Sequence, residues 1–337
     1  MNCCGSCFAD KFLQDEISRL STQIGDCETC GAQDSKLVSA TMLSDRFEVP
    51  FGIYEPDDNG KLLVDWMIED WELFALDRDR AALLLIEILD DGELARQSFS
   101  PRNAVGGDHL SSWERLREEL RTQNRFFPTT EFSQDRLASL LENLKLDPLS
   151  VSEMWYRARI EDGSGAYPAD KMGAPPAKYA SPGRANPVGI PYLYIGSQLQ
   201  TATTEVRPHP GETICVAEFQ VQQGLEIIDL RNPRKLLTPF RLEDSLEVAA
   251  MRRDIGFLER LGLELTTPVL PNAAAIDYIP SQYLCEFIKQ AGYDGVAYES
   301  SVSEGVNMAL FSPDNAQVGE ISRVKVERMQ IFCENIE

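Results

Sequence analysis

The sequence predicts an α+β protein in three parts: a thiolate-rich piece over residues 1–35, a helical region over 36–150 and a mixed α/β domain over 151–337. Three observations lead there. Five of the eight cysteines fall in the first thirty residues, apolar residues recur at helical spacing from about 62 to 147, and beyond 150 proline and glycine become frequent between short apolar runs. A chain of 337 residues also exceeds the usual size of one hydrophobic core.

The N-terminus, MNCCGSCFADKF, has no basic stretch followed by an apolar core. The longest apolar run, AALLLIEIL at 81–89, falls well short of the roughly 18 residues a membrane helix needs. A cytoplasmic protein with no membrane segment is expected. The formal charge of -22 disfavours general attraction to nucleic acid and to anionic membranes, so an anionic ligand must be held by local arginines.

Cys4 and Cys7 make one Cys-x-x-Cys pair and Cys27 and Cys30 another, and the nineteen-residue spacer suits a four-thiolate zinc site. Leu13, Ile17 and Leu20 within the spacer lie at helical spacing, which predicts two cysteine knuckles joined by a helix. Cys3 competes with Cys4 for the first ligand position. Four thiolates fill a tetrahedral shell, so this zinc would be structural, without an open position for catalysis. Paired disulfides conflict with a reducing cytoplasm. Cys215, Cys285 and Cys333 sit in apolar settings and read as core residues.

In the middle region, Trp66, Trp71 and Phe74 punctuate an acidic amphipathic segment, and RAALLLIEILDDGELA follows as a more buried helix. Ser111 stands as an N-cap for WERLREELRTQ with Glu114 three residues on, the pattern of a capping box. DRLASLLENL places Leu137, Leu140, Leu141 and Leu144 on one face. Four such helices predict a small bundle.

After KLDPLS at 145–150, strands are expected at WYRARI, PYLYIG, ICVAEFQV, LEIIDL, DGVAY, NMALFS and SRVKVERMQIFC. Helices are expected at RLEDSLEVAAMRRDIGFLERLG and at PSQYLCEFIKQAG, the latter with Pro280 in its first turn and Gly292 past its end.

The only histidines are His109 and His209, and neither lies in a nucleophile motif such as G-x-S-x-G. Phosphate-binding loops of the G-x-x-x-x-G-K-[ST] and G-x-G-x-x-G kinds are absent. What remains is a set of arginines and carboxylates beside apolar strands. Arg157 and Arg159 share one side of WYRARI, Arg184 follows a Pro-Gly loop, Glu205 follows the aromatic strand, and Ser300, Ser301, Ser303 and Asn307 lie around the loop between two strands. Each alone is an ordinary surface group; their concentration in one domain singles them out.

Four ordered segments, WYRARI, GRANPVGIPYLYIG, ATTEV and GYDGVAYESSVSEGVNMALF, resemble the RES family, named for an arginine, a glutamate and a serine. The resemblance covers about residues 151–333. It implies a fold related to ADP-ribosyltransferases and a toxin that degrades NAD, in a toxin–antitoxin or phage-defence setting. Its residues fall on Arg157, Arg184, Glu205 and Ser300, with Ser301 one step away as the alternative serine. Ala185 departs from the family, which commonly has tryptophan there. The preceding helical region also resembles the HEPN-type regions fused to some RES domains.

On this reading NAD is the substrate and its nicotinamide–ribose bond is cleaved by phosphorolysis or hydrolysis. Arg157 and Arg184 would hold phosphate or the adjoining ribose, Glu205 would face the cation that forms on the ribose, and Ser300 would hydrogen-bond the glutamate or the ribose. Tyr194 or Tyr192 would stack on a ring, with at most one of them expected to face the ligand. Tyr194 and Asn307 complete the expected binding set. An antitoxin or trigger protein and a second copy of the chain are the partners this reading leaves room for. Transfer of ADP-ribose to a protein or nucleotide is the enzymatic alternative. An RNA-directed HEPN-type role is the other, with Arg102 and His109 of RNAVGGDH as its nuclease pair; their position across a glycine pair, in an expected loop, argues against it.

Overall fold

The computed structural model describes residues 1–102, 107–163, 165–270 and 273–328. Two compact units make up the chain: Met1–Leu110 with Asn232–Leu258, and Ser111–Arg231 with the residues from Glu259 onward.

This division differs from the boundaries at 35 and 150 drawn from sequence texture. Asn232–Leu258 returns to the first unit, where Phe240 packs edge-on against Phe47 at 4.9 Å and stacks with Phe12 at 6.5 Å. There Arg252 also pairs with the Asp70 carboxylate. Local composition follows the chain, whereas packing joins segments far apart in it. The four leucine-rich helices consequently do not form one bundle. Helices Leu63–Trp71 and Arg78–Leu89 belong to the first unit, and Gln134–Leu141 with nearly all of His109–Thr122 to the second. Nor does Ser111 cap a helix, because that helix begins two residues earlier; Glu114 pairs with Arg260 instead. Ser133 does cap Gln134–Leu141, accepting from the backbone N–H of Arg136 at 3.2 Å.

In the first unit, β1 (Asn2–Cys4), β2 (Gln23–Gly25) and β3 (Ser35–Ser39) form an antiparallel sheet in the order β1-β3-β2. Between β1 and β2 runs helix Lys11–Leu20, capped by the Asp10 carboxylate on the N–H of Leu13 at 2.9 Å, with Leu13 and Ile17 buried. β4 (Tyr54–Leu62) and β5 (Ser98–Pro101) pair antiparallel.

The second unit holds an eight-stranded mixed sheet built from β6 (Lys145–Leu146), β7 (Trp155–Ile160), β8 (Leu193–Gly196), β9 (Thr213–Val221), β10 (Ile227–Asp229), β11 (Gly295–Glu299), β12 (Val306–Leu310) and β13 (Ala316–Lys325). Its order is β13-β9-β7-β8-β12-β11-β10-β6. Among the described residues only β10 and β11 pair in parallel, and a parallel pair requires a long crossover; here it contains helices Ser245–Thr266 and Ile279–Gln290. Pro280 lies in the first turn of the latter and Gly292, at φ +100°, follows its end. The last strand starts earlier than SRVKV suggested, and Cys333 lies outside the described residues.

Both faces of β9 are covered. Cys215, Ala217, Phe219 and Val221 join Trp155, Leu193, Ile195, Ala297, Met308 and Leu310 in the main core. On the opposite face Ile214 and Val216 pack with Ala158 and with Ala202 of helix Leu199–Glu205. That second, smaller core seats the helix whose last residue is Glu205.

Candidate functional site

Two glycines allow helix Leu199–Glu205 to lie close to the sheet. A Cβ on Gly305 would stand 1.9 Å from Thr201 Oγ1, and one on Gly196 would stand 3.0 Å from the Ala202 backbone nitrogen. Thr201, fully buried, accepts a hydrogen bond on Oγ1 from Ser303 Oγ at 3.1 Å. The helix end is thereby held beside the loop between β11 and β12.

Glu205 receives two hydrogen bonds on the same oxygen: Ser300 Oγ donates to Oε1 at 2.7 Å, and Asn307 Nδ2 donates to it at 2.5 Å. No described residue donates to Oε2. Asn307 is buried on β12, while Ser300 is half-buried in a loop closed by its own N–H on the Gly305 carbonyl at 3.0 Å. Ser301 turns the other way, its Oγ 3.4 Å from Arg184 Nη2. The neighbouring serines therefore serve different charges.

Glu205 and Asn307 line a cavity of about 470 Å³ together with Arg157, Arg184 and Tyr194, a size that suits a small-molecule ligand. Arg157 Nη1 donates to the Tyr194 carbonyl at 3.0 Å, and its Nε is buried without a partner. Burial, with the like charge of Arg159 adding to it, pulls the Arg157 guanidinium down to about 10, still cationic at neutral pH. Arg159 shares the strand but lies over the Tyr167 ring at 4.5 Å. Arg184 Nη1 donates to the Thr267 carbonyl at 2.6 Å, and its guanidinium lies 5.5 Å from the Tyr278 ring.

The two tyrosines of PYLYIG are two positions apart and would share a face within one strand, yet they separate, because Tyr192 precedes β8 (Leu193–Gly196) while Tyr194 lies in it. Tyr194 faces the cavity, and its hydroxyl accepts from the N–H groups of Ala185 and Asn186 at 3.0 and 3.1 Å while donating to Asn186 Oδ1 at 2.7 Å. Tyr192 points to the other side, where it donates to Glu286 Oε1 at 2.6 Å. A Cβ on Gly183 would stand 2.6 Å from the Tyr194 hydroxyl, so this glycine lets the GRAN loop close on it. Ala185, itself part of that loop, is fully buried and does not line the cavity.

Sequence reasoning missed Tyr156, Arg207, Tyr278 and Tyr298, which also line the cavity. Burial, reinforced by Tyr194 and by the Glu205 charge, holds the Tyr298 phenol well above its usual value, so it stays protonated as a donor. The only available signals were weak: Tyr298 lies directly across from Asn307 in the β11–β12 pair, and Arg207 follows Glu205 by two positions.

In the first unit, the sulfurs of Cys4, Cys7, Cys27 and Cys30 all lie within 4.8 Å of one another, with 3.5 Å between Cys4 and Cys30 and 3.6 Å between Cys7 and Cys27. Sulfurs bound tetrahedrally at zinc distance stand about 3.8 Å apart, so this set fits such an ion. Although burial opposes it, the backbone N–H groups of Cys30 and Thr29 bring the Cys27 thiol down to about 7. Cys3 is outside the cluster, and burial pushes its thiol up to about 12. Arg102 pairs with Glu55 at 2.8 Å, and His109 Nδ1 lies 2.6 Å from Asp254 Oδ1; the two do not share a helix, and residues 103–106 between them lie outside the described ones.

Among the described residues no helix is long and apolar enough to cross a membrane. No curated protein matches the chain. Among solved structures, a chain of the MbcT–MbcA toxin–antitoxin complex of M. tuberculosis is similar at 15% identity, with a TM-score of 0.34, over 57% of this chain and 94% of that one. Comparison with protein families matches residues 154–330 to the RES domain. That match takes in seven of the eight strands of the sheet, the cavity and all of Arg157, Arg184, Glu205 and Ser300, and it spans more than half of the sequence: the chain belongs to the RES domain family.

Proposed function

We propose that this protein cleaves the nicotinamide–ribose bond of NAD, as a toxin acting in the cytoplasm and restrained by an antitoxin or trigger protein. The observation that carries the reading is the Glu205 carboxylate, fixed by Ser300 and Asn307, in one cavity with the guanidinium groups of Arg157 and Arg184. Such a cavity meets both charges of the reaction. As the bond breaks, its electron pair leaves with nicotinamide and neutralises the pyridinium ring, while positive charge develops on the ribose opposite Glu205. The pyrophosphate stays anionic, and planar guanidinium groups match its oxygens. The acceptor oxygen, from inorganic phosphate or water, then bonds the anomeric carbon, and with water the proton passes to solvent. An ADP-ribosyltransferase-like reading of the sheet belongs to the same proposal.

The test is incubation of the purified protein with NAD, with and without inorganic phosphate, followed by mass spectrometry. Free nicotinamide is expected, with ADP-ribose or its phosphorylated form as the second product. A covalent ADP-ribosyl adduct on protein would point to transfer instead, and no nicotinamide release at all would overturn the proposal. Cys4, Cys7, Cys27 and Cys30 are assigned to one structural zinc, which would cross-link β1, its following turn and the loop after β2.

A further inference from the structure

We infer that Arg207 is a third phosphate-binding guanidinium of this site, contacting the pyrophosphate of the dinucleotide. The inference rests on the NAD reading above and adds to it a residue that the family motif does not contain. Arg207 lines the same cavity as Arg157 and Arg184. Those two arginines each commit donors to the protein, Arg157 to the Tyr194 carbonyl and Arg184 to the Thr267 carbonyl and the Ser301 hydroxyl. The side chain of Arg207, in contrast, is exposed and has no acceptor, ion pair or ring contact among the described residues. Its whole set of N–H donors is available to a ligand.

The backbone gives a second, independent reason. Arg207 has φ +49°, in the left-handed region that a side chain with a Cβ enters at a cost, and its N–H closes the preceding helix on the Thr204 carbonyl at 3.0 Å. Glycine would serve this turn better. An arginine held in that conformation, two residues past Glu205 and at the mouth of the cavity, supports a task for its side chain rather than for the turn. The cavity then carries three guanidinium groups against one carboxylate, in a chain whose net charge is -22. That local excess of positive charge matches the two negative charges of a pyrophosphate.

The experiment compares the full chain with Arg207→Gly and Arg207→Lys. Nicotinamide release gives kcat and KM for NAD, calorimetry gives affinities for ADP-ribose and for inorganic pyrophosphate, and thermal melts report folding. For Arg207→Gly, KM and the ADP-ribose Kd are expected to rise about tenfold to a hundredfold, as for loss of a charge-assisted contact, with kcat within about threefold. Its melting temperature should be equal or higher, because glycine relieves the backbone, and Arg207→Lys should fall between. Unchanged ADP-ribose and pyrophosphate affinity would overturn the inference. So would a fall in kcat with unchanged KM, which would mark a role toward Glu205, or a lowered melting temperature, which would mark a structural one. A wild-type chain that releases no nicotinamide, yet loses pyrophosphate binding on Arg207→Gly, would overturn the NAD reading and leave the anion site standing.

Discussion

Asn307 Nδ2 donates to Glu205 Oε1 at 2.5 Å, tying the core of the sheet to the end of the short helix Leu199–Glu205. Asn307 is a buried residue of β12, and its amide has one orientation in which it can donate here. The catalytic carboxylate proposed above is therefore aimed by a strand rather than by its own helix.

Glu205→Gln removes the charge and keeps the shape. On the proposed mechanism kcat should fall about a hundredfold to a thousandfold, the usual cost of one preorganised electrostatic contact. Because Glu205 is exposed, the melting temperature should change little. Nicotinamide release and a thermal melt on the same preparation check both halves; undiminished turnover would remove Glu205 from the mechanism.

Asn307→Asp places a second carboxylate against Glu205. Two like charges at hydrogen-bond distance cannot both ionise easily, so the pair should retain a proton to higher pH. Activity at neutral pH should drop at least about tenfold, with the acidic limb of the pH–rate profile displaced upward. Ser300→Ala, which removes the half-buried partner, should cost less. A pH profile identical to wild type for Asn307→Asp would show that Asn307 does not position the carboxylate.

Gly305→Ala drives a methyl group into Thr201 Oγ1, 1.9 Å from the ideal Cβ position. Overpacking of this kind costs about 1–3 kcal/mol and here should also displace the Glu205 helix, lowering stability and turnover together. Thr201→Ala in the same chain should restore part of both. Denaturant unfolding of the single and double variants measures the coupling.

For the thiolate cluster, one zinc per chain is expected by elemental analysis, and a strong chelator should lower the melting temperature. Cys27→Ser should abolish zinc retention, whereas Cys3→Ser should keep it, since Cys3 is outside the four-sulfur set. Equal loss of zinc in both variants would contradict this assignment.

Glu119 supplies a pH-dependent contribution to stability. The Thr130 hydroxyl, then the Thr129 backbone N–H, hold its carboxyl down at about 2. A depressed carboxylate stabilises the fold fully above its unfolded value, near 4.3, and that contribution is lost as pH falls toward 2. Glu119→Gln should therefore flatten the dependence of melting temperature on pH between about 4.5 and 2. An unchanged acid limb would place the pH sensitivity elsewhere.

Much of the site was legible in the sequence because the informative residues sit in short, ordered segments. Arg157 in WYRARI, Arg184 after a Pro-Gly loop, Glu205 in ATTEV and Asn307 in NMALF are close to elements whose periodicity is plain. Tyr278 and Arg207 carried no such mark. Tyr278 lies at the start of a helix whose apolar face dominates its pattern, and Arg207 reads as one more charge in a charged chain. The bundle expected from four leucine-rich helices shows the limit from the other side. Each helix was visible, but nothing local tells Leu137 that its partners lie in a different unit from those of Leu84.

The sequence by itself determined the strands beyond residue 150, the longer helices, the cysteine pairs and most of the charged residues of the cavity, since helix and strand periods and metal spacing are properties of neighbouring residues, but it showed none of the short strands before residue 150. Tertiary structure alone decided that Asn232–Leu258 packs with the N-terminal unit, that Tyr194 rather than Tyr192 lines the cavity, and that Ser300 serves Glu205 while Ser301 serves Arg184. These outcomes depend on strand register and on close approach at Gly183, Gly196 and Gly305, where absence of a side chain permits contacts between residues many positions apart.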